Sequence, residues 1–290
     1  MVKSSQNLTY EGFSYHHSYE SNPQEQNFSL HCHNMYELYF FISGGGNFLV
    51  QTTLYKLAPG DLLLLRPGEY HRFIPTSPVG YERYCLHFDG ALMAEYPRLL
   101  QPFNDRKAGT YNLLRPDREL FTDLFSRLDR AALMPQDTRR MLSGFLLGEL
   151  LTYVAAFAGD RICYIGGEHM PPLVEQLLQY IHEHLTEPLN LDILSEQVFL
   201  TKSHISRVFK AAMGIAPMEY ITRKRIQLAR QYLHEGEGAE DTAARCGFGD
   251  YSSFYRAYRR IIGRSPSQAE PTTKGEDARE KHTGSQGRAL

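Results

Sequence analysis

Little in this 290-residue chain invites covalent or membrane chemistry. Its four cysteines, Cys32, Cys85, Cys163 and Cys246, are scattered and form no CxxC pair, which argues against a disulfide framework or a zinc finger. No run approaches the roughly 18 apolar residues that a membrane helix needs. Residues 1–11 lack the basic patch and following apolar stretch of a secretory signal. Cytoplasmic residence, with no membrane partner, is therefore the expectation. No P-loop, dinucleotide fingerprint or Ser-His-Asp arrangement is evident, so nucleotide-driven chemistry finds no support. Net charge is scarce too, at -2.

What is there is ordinary globular composition, with 42% hydrophobic and 22% charged residues, and a length that favours two domains. Charge is uneven along the chain. Residues 1–170 carry 15 basic and 18 acidic side chains, whereas residues 201–270 carry 12 and 7. That second segment has the charge to meet phosphates.

Residues 29–90 read as β structure. Segments 35–42, 48–53, 61–66, 71–74 and 81–88 are aromatic and aliphatic, separated by Gly- and Pro-rich turns such as Gly44-Gly45-Gly46 and Pro67-Gly68. The period changes near Pro116. Leu120, Phe121, Leu124, Phe125 and Leu128 recur at helical spacing behind Asp117, a candidate N-cap. A second helix is expected over 138–157, with an apolar face broad enough to serve both as core and as a protein–protein seam. Residues 159–172 hold GlyAsp, GlyGly and ProPro steps and read as a linker.

From Leu173 to about Ser267 the pattern is helical. Thr201 caps a helix that buries Ile205, Val208 and Phe209 and stops at Gly214. Its outward positions are Ser203, His204, Ser206, Arg207 and Lys210, short hydrogen-bonding groups and cations suited to a major groove. A similar unit follows, with residues 239–246, a turn at Gly247-Phe248-Gly249-Asp250, and a helix of about 251–262 bearing Phe254, Tyr258 and an outward Arg256. The bridging helix, 217–234, spans roughly 27 Å at 1.5 Å per residue. That is comparable to the roughly 34 Å between successive major grooves on one face of DNA.

The stretches TKSHISRVFKAAMGIAPMEYITRKRIQLARQYL at 201–233 and CGFGDYSSFYRAYRRIIGRSP at 246–266 resemble the AraC/XylS transcription regulators over about a hundred residues. The resemblance implies an N-terminal β domain that binds an effector and dimerises, a double-stranded DNA operator, and work with RNA polymerase as an activator. Its base-reading positions fall on Ser203, Ser206 and Arg207, and on Tyr251, Ser252, Ser253 and Arg256. Phe199 stands where the first turn often has Gly, so a positive φ there would be strained. Ala239 and Thr242 replace larger aliphatics in the second unit, and Gln268-Ala269-Glu270 replaces the usual ending.

In the β half, His31, His33 and Glu37 form an HxHxxxE pattern whose shared parity would point all three to one face of a continuous strand. With Gly60, Gly68 and His71 the pattern resembles the cupin barrel, whose His-His-Glu-His set can hold a divalent metal. Three roles remain open for these four residues: metal ligands, direct hydrogen bonds to a small polar effector such as a sugar, or satisfied structural groups. The effector pocket is the favoured role, with no cofactor required; Tyr39 and Arg66, together with Tyr36 and Tyr84, are candidates to supplement it.

The expected architecture is an α+β chain of two domains. Residues 1–158 form a cupin-like effector-binding and dimerisation barrel with two helices, residues 1–28 being an arm over the pocket. After the linker, residues 173–270 form an all-α double helix-turn-helix domain, and 271–290 a disordered tail. The expected function is a ligand-responsive DNA-binding regulator, not an enzyme, and dimeric. The rival is a metal-dependent cupin enzyme fused to a DNA-binding module.

Overall fold

The computed structural model describes residues 2–105, 112–158 and 164–268. Eleven strands lie among them: β1 (Val2–Tyr10), β2 (Phe13–Glu20), β3 (Tyr36–Ser43), β4 (Gly46–Val50), β5 (Thr53–Lys56), β6 (Leu62–Leu65), β7 (His71–Pro75), β8 (Tyr81–Phe88), β9 (Leu113–Leu114), β10 (Tyr164–Ile165) and β11 (Glu168–His169). They form one sheet ordered β1-β2-β8-β3-β6-β9-β10 and a second ordered β11-β5-β4-β7, with antiparallel pairing throughout.

Side-chain alternation organises this half. On β3, Leu38 and Phe40 face one side of the larger sheet, while Glu37, Tyr39 and Phe41 face the other. On β8, Tyr84, Leu86 and Phe88 share the first side, and Tyr81, Arg83, Cys85 and His87 the second. The first side is covered by helices. Phe40 and Tyr84 both stack on Phe125 at 5.2 Å. The second side meets the smaller sheet through Phe48, Val50, Tyr55 and Phe73. Each such aromatic or aliphatic side chain, fully buried, stabilises the fold by about 1.5–3 kcal/mol.

The covering helices follow a short α1 (Gln101–Asn104) and are α2 (Arg118–Ala132) and α3 (Gln136–Ala158). Asp117 caps α2 as expected, its Oδ1 accepting from Leu120 N at 2.9 Å. Leu146 and Leu150, central to the broad apolar face of α3, are core; Met141, Phe145 and Tyr153 are the residues left exposed. By length and composition α3 is the one helix among the described residues that could cross a membrane, with a mean hydropathy of 1.6 over an 18-residue window, although Ser143, Glu149 and Thr152 interrupt its apolar run. Its inner face is spent on packing against α2 and the sheet.

Two boundaries differ from the sequence reading. Residues 1–28, expected as a polar arm, contain the β1–β2 hairpin, turned at Gly12 (φ +73°), and β2 pairs with β8 from Phe13↔Phe88 to Glu20↔Tyr81. The segment reads as polar because few of its residues, among them Leu8, Phe13 and Tyr15, enter the core, while on β2 His16, Ser18 and Glu20 alternate with Phe13 and Tyr15 into a cavity. The expected linker 159–172 contains β10 and β11, which add to the ends of the two sheets. Gly167 permits that close approach: a Cβ there would lie 2.4 Å from Thr53 Cγ2 and 2.8 Å from the Leu54 carbonyl oxygen. Residues 271–290 and Cys163 lie outside the described residues.

The helical half comprises α4 (Pro172–Glu183), α5 (Leu191–Val198), α6 (Lys202–Met213), α7 (Pro217–His234), α8 (Ala239–Arg245) and α9 (Tyr251–Ile262). Compact grouping does not follow the expected 173–270 boundary: residues 1–179 and 198–216 form one unit, and residues 180–197 with 217 onward the other. Within the second, Ile226, Ala229 and Leu233 of α7 meet Ala243, Cys246, Phe254 and Tyr258. Arg225 ties this core to the preceding loop, donating from Nε to Leu185 O at 2.9 Å and from Nη2 to Glu187 O at 2.6 Å. Gly247 (φ +79°) fits beneath Thr186, whose carbonyl oxygen would lie 2.6 Å from any added Cβ.

Candidate functional site

Between the two sheets lies a cavity of about 360 Å³. Its walls come from alternate positions of β2, β3 and β8, from Phe48 and Phe73, and from the segment 27–31. The larger sheet contributes most of the polar groups because its cavity-facing parity carries His, Glu, Tyr, Arg and Cys, whereas its other face is mainly apolar, with a polar group of His17 and Glu82 beside Asp129. Tyr39 and Tyr81 share a short hydroxyl–hydroxyl hydrogen bond on this wall. Burial pushes the Cys85 thiol up to about 12, so it is neutral at ordinary pH.

Glu37, 3% exposed, is the centre of the polar wall. Its Oε2 lies 2.9 Å from His33 Nε2, 3.1 Å from His71 Nε2 and 3.5 Å from His87 Nε2. Burial alone would raise its pKa; the surrounding imidazoles of His71, His87 and His33 outweigh that and hold the carboxyl well below the usual carboxylate range. His33 Nδ1 donates to Met35 O at 3.0 Å and His71 Nδ1 to Glu69 O at 2.8 Å. Carbonyl acceptors fix those Nδ1 atoms as protonated, so in the neutral rings both Nε2 lone pairs face the carboxylate oxygen. Such a meeting needs a proton or a cation among the three atoms. His71 Nε2 is also buried without an aligned hydrogen-bond partner. His33, Glu37 and His87 bring their ligand atoms within 4.8 Å of one another, and two imidazoles with a carboxylate suit a divalent cation.

The sequence-predicted ligand set is therefore only partly assembled. Glu37, His71, His31 and Tyr39 line the cavity, but His31 and His33 precede β3, so strand parity does not place them. His31 instead makes an isolated bridge to His71 and sets its ring 4.4 Å from the His71 ring, with its Nδ1 donating to Ser29 O at 2.9 Å. Arg66 is not on the cavity wall: its guanidinium donates twice to Glu69 Oε1, at 2.9 and 2.6 Å. Tyr84 faces the helix side, and Tyr36 packs on Phe88 and Phe103. The residues missed are His87 and Arg83. His87 is the direct cross-strand neighbour of Glu37, and the alternation Tyr81, Arg83, Cys85, His87 was the available signal.

The two candidate reading helices are each capped at both ends. On α6, Thr201 Oγ1 accepts from His204 N at 3.3 Å and Gly214 closes the helix at φ +79°. Ile205, Phe209 and Met213 are buried, while Ser203, Arg207 and Lys210 are exposed and His204 and Ser206 half-buried. Arg207 Nη2 lies 3.3 Å from His204 Nδ1. The preceding turn carries Phe199 at φ +54°, 93% exposed, so the expected strain is present. On α9, Asp250 Oδ1 accepts from Ser253 N at 2.7 Å, and Ser253 Oγ donates to Asp250 Oδ2 at 2.8 Å. Arg256 Nη2 donates to the same hydroxyl at 3.2 Å. Ser253 thus serves the cap and steadies Arg256, while Tyr251, Ser252 and Arg256 are exposed. Beneath them Thr242 is fully buried with its hydroxyl unpartnered. Of the ending Gln268-Ala269-Glu270, only Gln268 is described, in a 3-10 turn from Pro266.

Comparison with known proteins agrees with both halves. An AraC-like ligand binding domain matches residues 16–140, and a helix-turn-helix domain matches residues 194–270. The chain is 28% identical to the arabinose operon regulatory protein of Escherichia coli K12 over 80% of its length and 79% of that protein's. It is 23% identical to the transcriptional activator RhaS of an Enterobacter species over 87% of its length and 89% of that protein's. Against the probable transcriptional regulator LumQ of Photobacterium leiognathi identity rises to 40%, over 31% of this chain and 36% of LumQ. A ligand-binding β domain followed by a helix-turn-helix domain, matched in that order, makes this chain a member of the AraC family of ligand-responsive, DNA-binding transcription regulators.

Proposed function

We propose that a small polar molecule, such as a sugar, occupies the cavity between the sheets and changes the affinity of the helix-turn-helix domain for its operator. The observation that carries this reading is the polar-walled cavity of about 360 Å³ inside an otherwise close-packed barrel. A ligand shifts a conformational equilibrium only through differential affinity, and such a cavity is where that difference arises. The arabinose operon regulatory protein, similar over most of this chain, supports a sugar-sized effector. The named relatives are regulators, which supports binding in place of turnover and activation through RNA polymerase in the cytoplasm. Homodimerisation through the exposed face of α3 would pair two sets of reading helices on one operator.

The test is fluorescence anisotropy of the full chain on DNA from upstream of its own coding region, with and without pentoses, hexoses and their acids. At least a tenfold shift in affinity with one ligand is expected. A ligand that binds the cavity and leaves DNA affinity unchanged sinks the reading.

A second reading adds a divalent cation held by Glu37, His33, His71 and His87. It is supported by the two Nδ1-to-carbonyl hydrogen bonds that aim Nε2 at Glu37, the usual outer support of a ligating histidine. A bound cation would supply a Lewis-acid contact for effector oxygens. Elemental analysis of purified full chain should then find near-stoichiometric metal, lost in both His33→Ala and His87→Ala. Background metal with an intact DNA response removes this reading and the enzyme rival together.

A further inference from the structure

We propose that the effector is an acid, carrying a carboxylate or phosphate that pairs with Arg83 on the cavity wall. The proposal rests on the cavity being the effector site and names the chemical class it accepts.

Arg83 sits on β8 at a cavity-facing position, half-buried, with Ser18 and Phe41 as its neutral cross-strand neighbours. Its guanidinium carbon lies 5.0 Å from the centre of the Tyr81 ring, and its hydrogen bond goes to the Cys85 thiol. Among the described residues, no carboxylate lies within ion-pair distance of it.

None of the remaining charges of the cavity forms an ion pair with Arg83. Glu37 is enclosed by His33, His71 and His87. Arg72 donates to Glu25 at 3.0 Å, and Glu20 accepts from Asn27 at 2.8 Å. Arg83 is thus a permanent, partly desolvated cation with no carboxylate paired to it among the described residues, although Glu20 lines the same cavity. A guanidinium cannot shed its proton in a protein, so its charge must be met from outside. Its planar fork matches the two oxygens of a carboxylate or phosphate, a pairing that is both strong and directional.

Around that fork the wall is built for hydroxyl groups. The Tyr39–Tyr81 hydroxyl pair and the imidazole of His31 offer polar groups toward the same space, while both ring nitrogens of His71 are taken by Glu69 and Glu37. A cavity of this volume accommodates a small polyhydroxylated molecule. The class that fits is a sugar acid or a sugar phosphate, with its anion at Arg83 and its hydroxyls toward His31 and the tyrosines.

The experiment is calorimetric titration of the full chain with pentoses and hexoses, their uronic and aldonic acids, and their monophosphates. Wild type is compared with Arg83→Gln and Arg83→Lys, all confirmed as folded by circular dichroism. The expected result is an acid or a phosphate that binds at least 30-fold more tightly than its neutral parent sugar. Arg83→Gln should erase that difference, and Arg83→Lys should retain part of it. If Arg83→Gln does not fold, Arg83→Lys carries the test, lowering affinity for the acid while sparing the parent sugar. The carboxylate and phosphate arms separate the two sources of the anion.

A neutral sugar that binds within threefold of its acid, or acid binding unchanged by both substitutions, overturns the proposal while the effector reading stands. Binding by no acid in the set overturns it too. Arg83-dependent acid binding without any change in DNA affinity keeps the acid assignment and sinks the regulatory reading.

Discussion

His17 Nδ1 lies 2.9 Å from Asp129 Oδ2, joining β2 of the larger sheet to the helix α2 that covers it. The other ring nitrogen lies 2.9 Å from Glu82 Oε1, so the imidazole is held between two carboxylates. Burial disfavours its charge, but the Asp129 and Glu82 carboxylates outweigh that and raise its pKa. A raised value in the folded state contributes stability that is complete below the unfolded value of about 6.5 and is lost as pH rises through the folded value. Thermal melts should therefore show stability falling as pH rises above about 6.5. His17→Gln should flatten that slope and cost about 1–2 kcal/mol at pH 6. A slope that persists in the variant would assign it to another group.

The exposed residues of α3 give a clean test of dimerisation. Met141 and Phe145 are 61% and 69% exposed, whereas Leu146 and Leu150 are core. Met141→Glu with Phe145→Glu should halve the apparent mass in sedimentation and leave the melting temperature nearly unchanged. Leu150→Glu should unfold the domain, because it buries an unpaired charge.

The two exposed arginines of the reading helices can each hold a guanine edge, worth about 1–3 kcal/mol of discrimination. Arg207→Ala is expected to cost more operator affinity than Arg256→Ala. The helix under Arg256 packs through Phe254 and Tyr258 on the small side chains of Ala243 and Cys246, next to Thr242 with its unpartnered hydroxyl, so it is poorly supported. Lys210→Ala should mainly lower the salt dependence, by a slope of about 1 if Lys210 meets a phosphate. Anisotropy titrations at several salt concentrations, with a scrambled site as control, read all three. A larger loss for Arg256→Ala reverses the ranking.

Thr242→Val should stabilise the helical half by about 1 kcal/mol, because it replaces a fully buried, unpartnered hydroxyl by a methyl of the same size. Urea titration of the full chain, following the transition of the helical half, gives the change in midpoint. No gain would mean that the hydroxyl finds a partner in solution.

Phe199→Gly should also stabilise, by about 1 kcal/mol, since the residue is 93% exposed and holds φ at +54°, where glycine meets no steric penalty. Phe199→Ala keeps a Cβ and serves as the control, with no gain expected. If Phe199→Gly loses stability instead, the ring makes contacts that offset its backbone strain.

Local features were legible in the sequence because they depend on neighbours a few residues away. Asp117, Thr201 and Gly214 end their helices where their own side chains, or the lack of one, dictate. The strands from β3 to β8 announced themselves by aromatic alternation, although β5 did not, and the paired helical units carried a recognisable spacing. The cavity was another matter. HxHxxxE suggested one face of one strand, but β3 begins only at Tyr36, so His31 and His33 reach the site through irregular chain. Which side of β8 looks inward depends on its register with β3, and that register puts His87 opposite Glu37 and Tyr84 against the helices. The β1–β2 hairpin was missed for the same reason: half of β2 is polar because it faces a cavity that exists only once the sheets have closed. Caps and periods are short-range and survive in one dimension, whereas a site is defined by which backbones pair, and pairing is decided by the packed core.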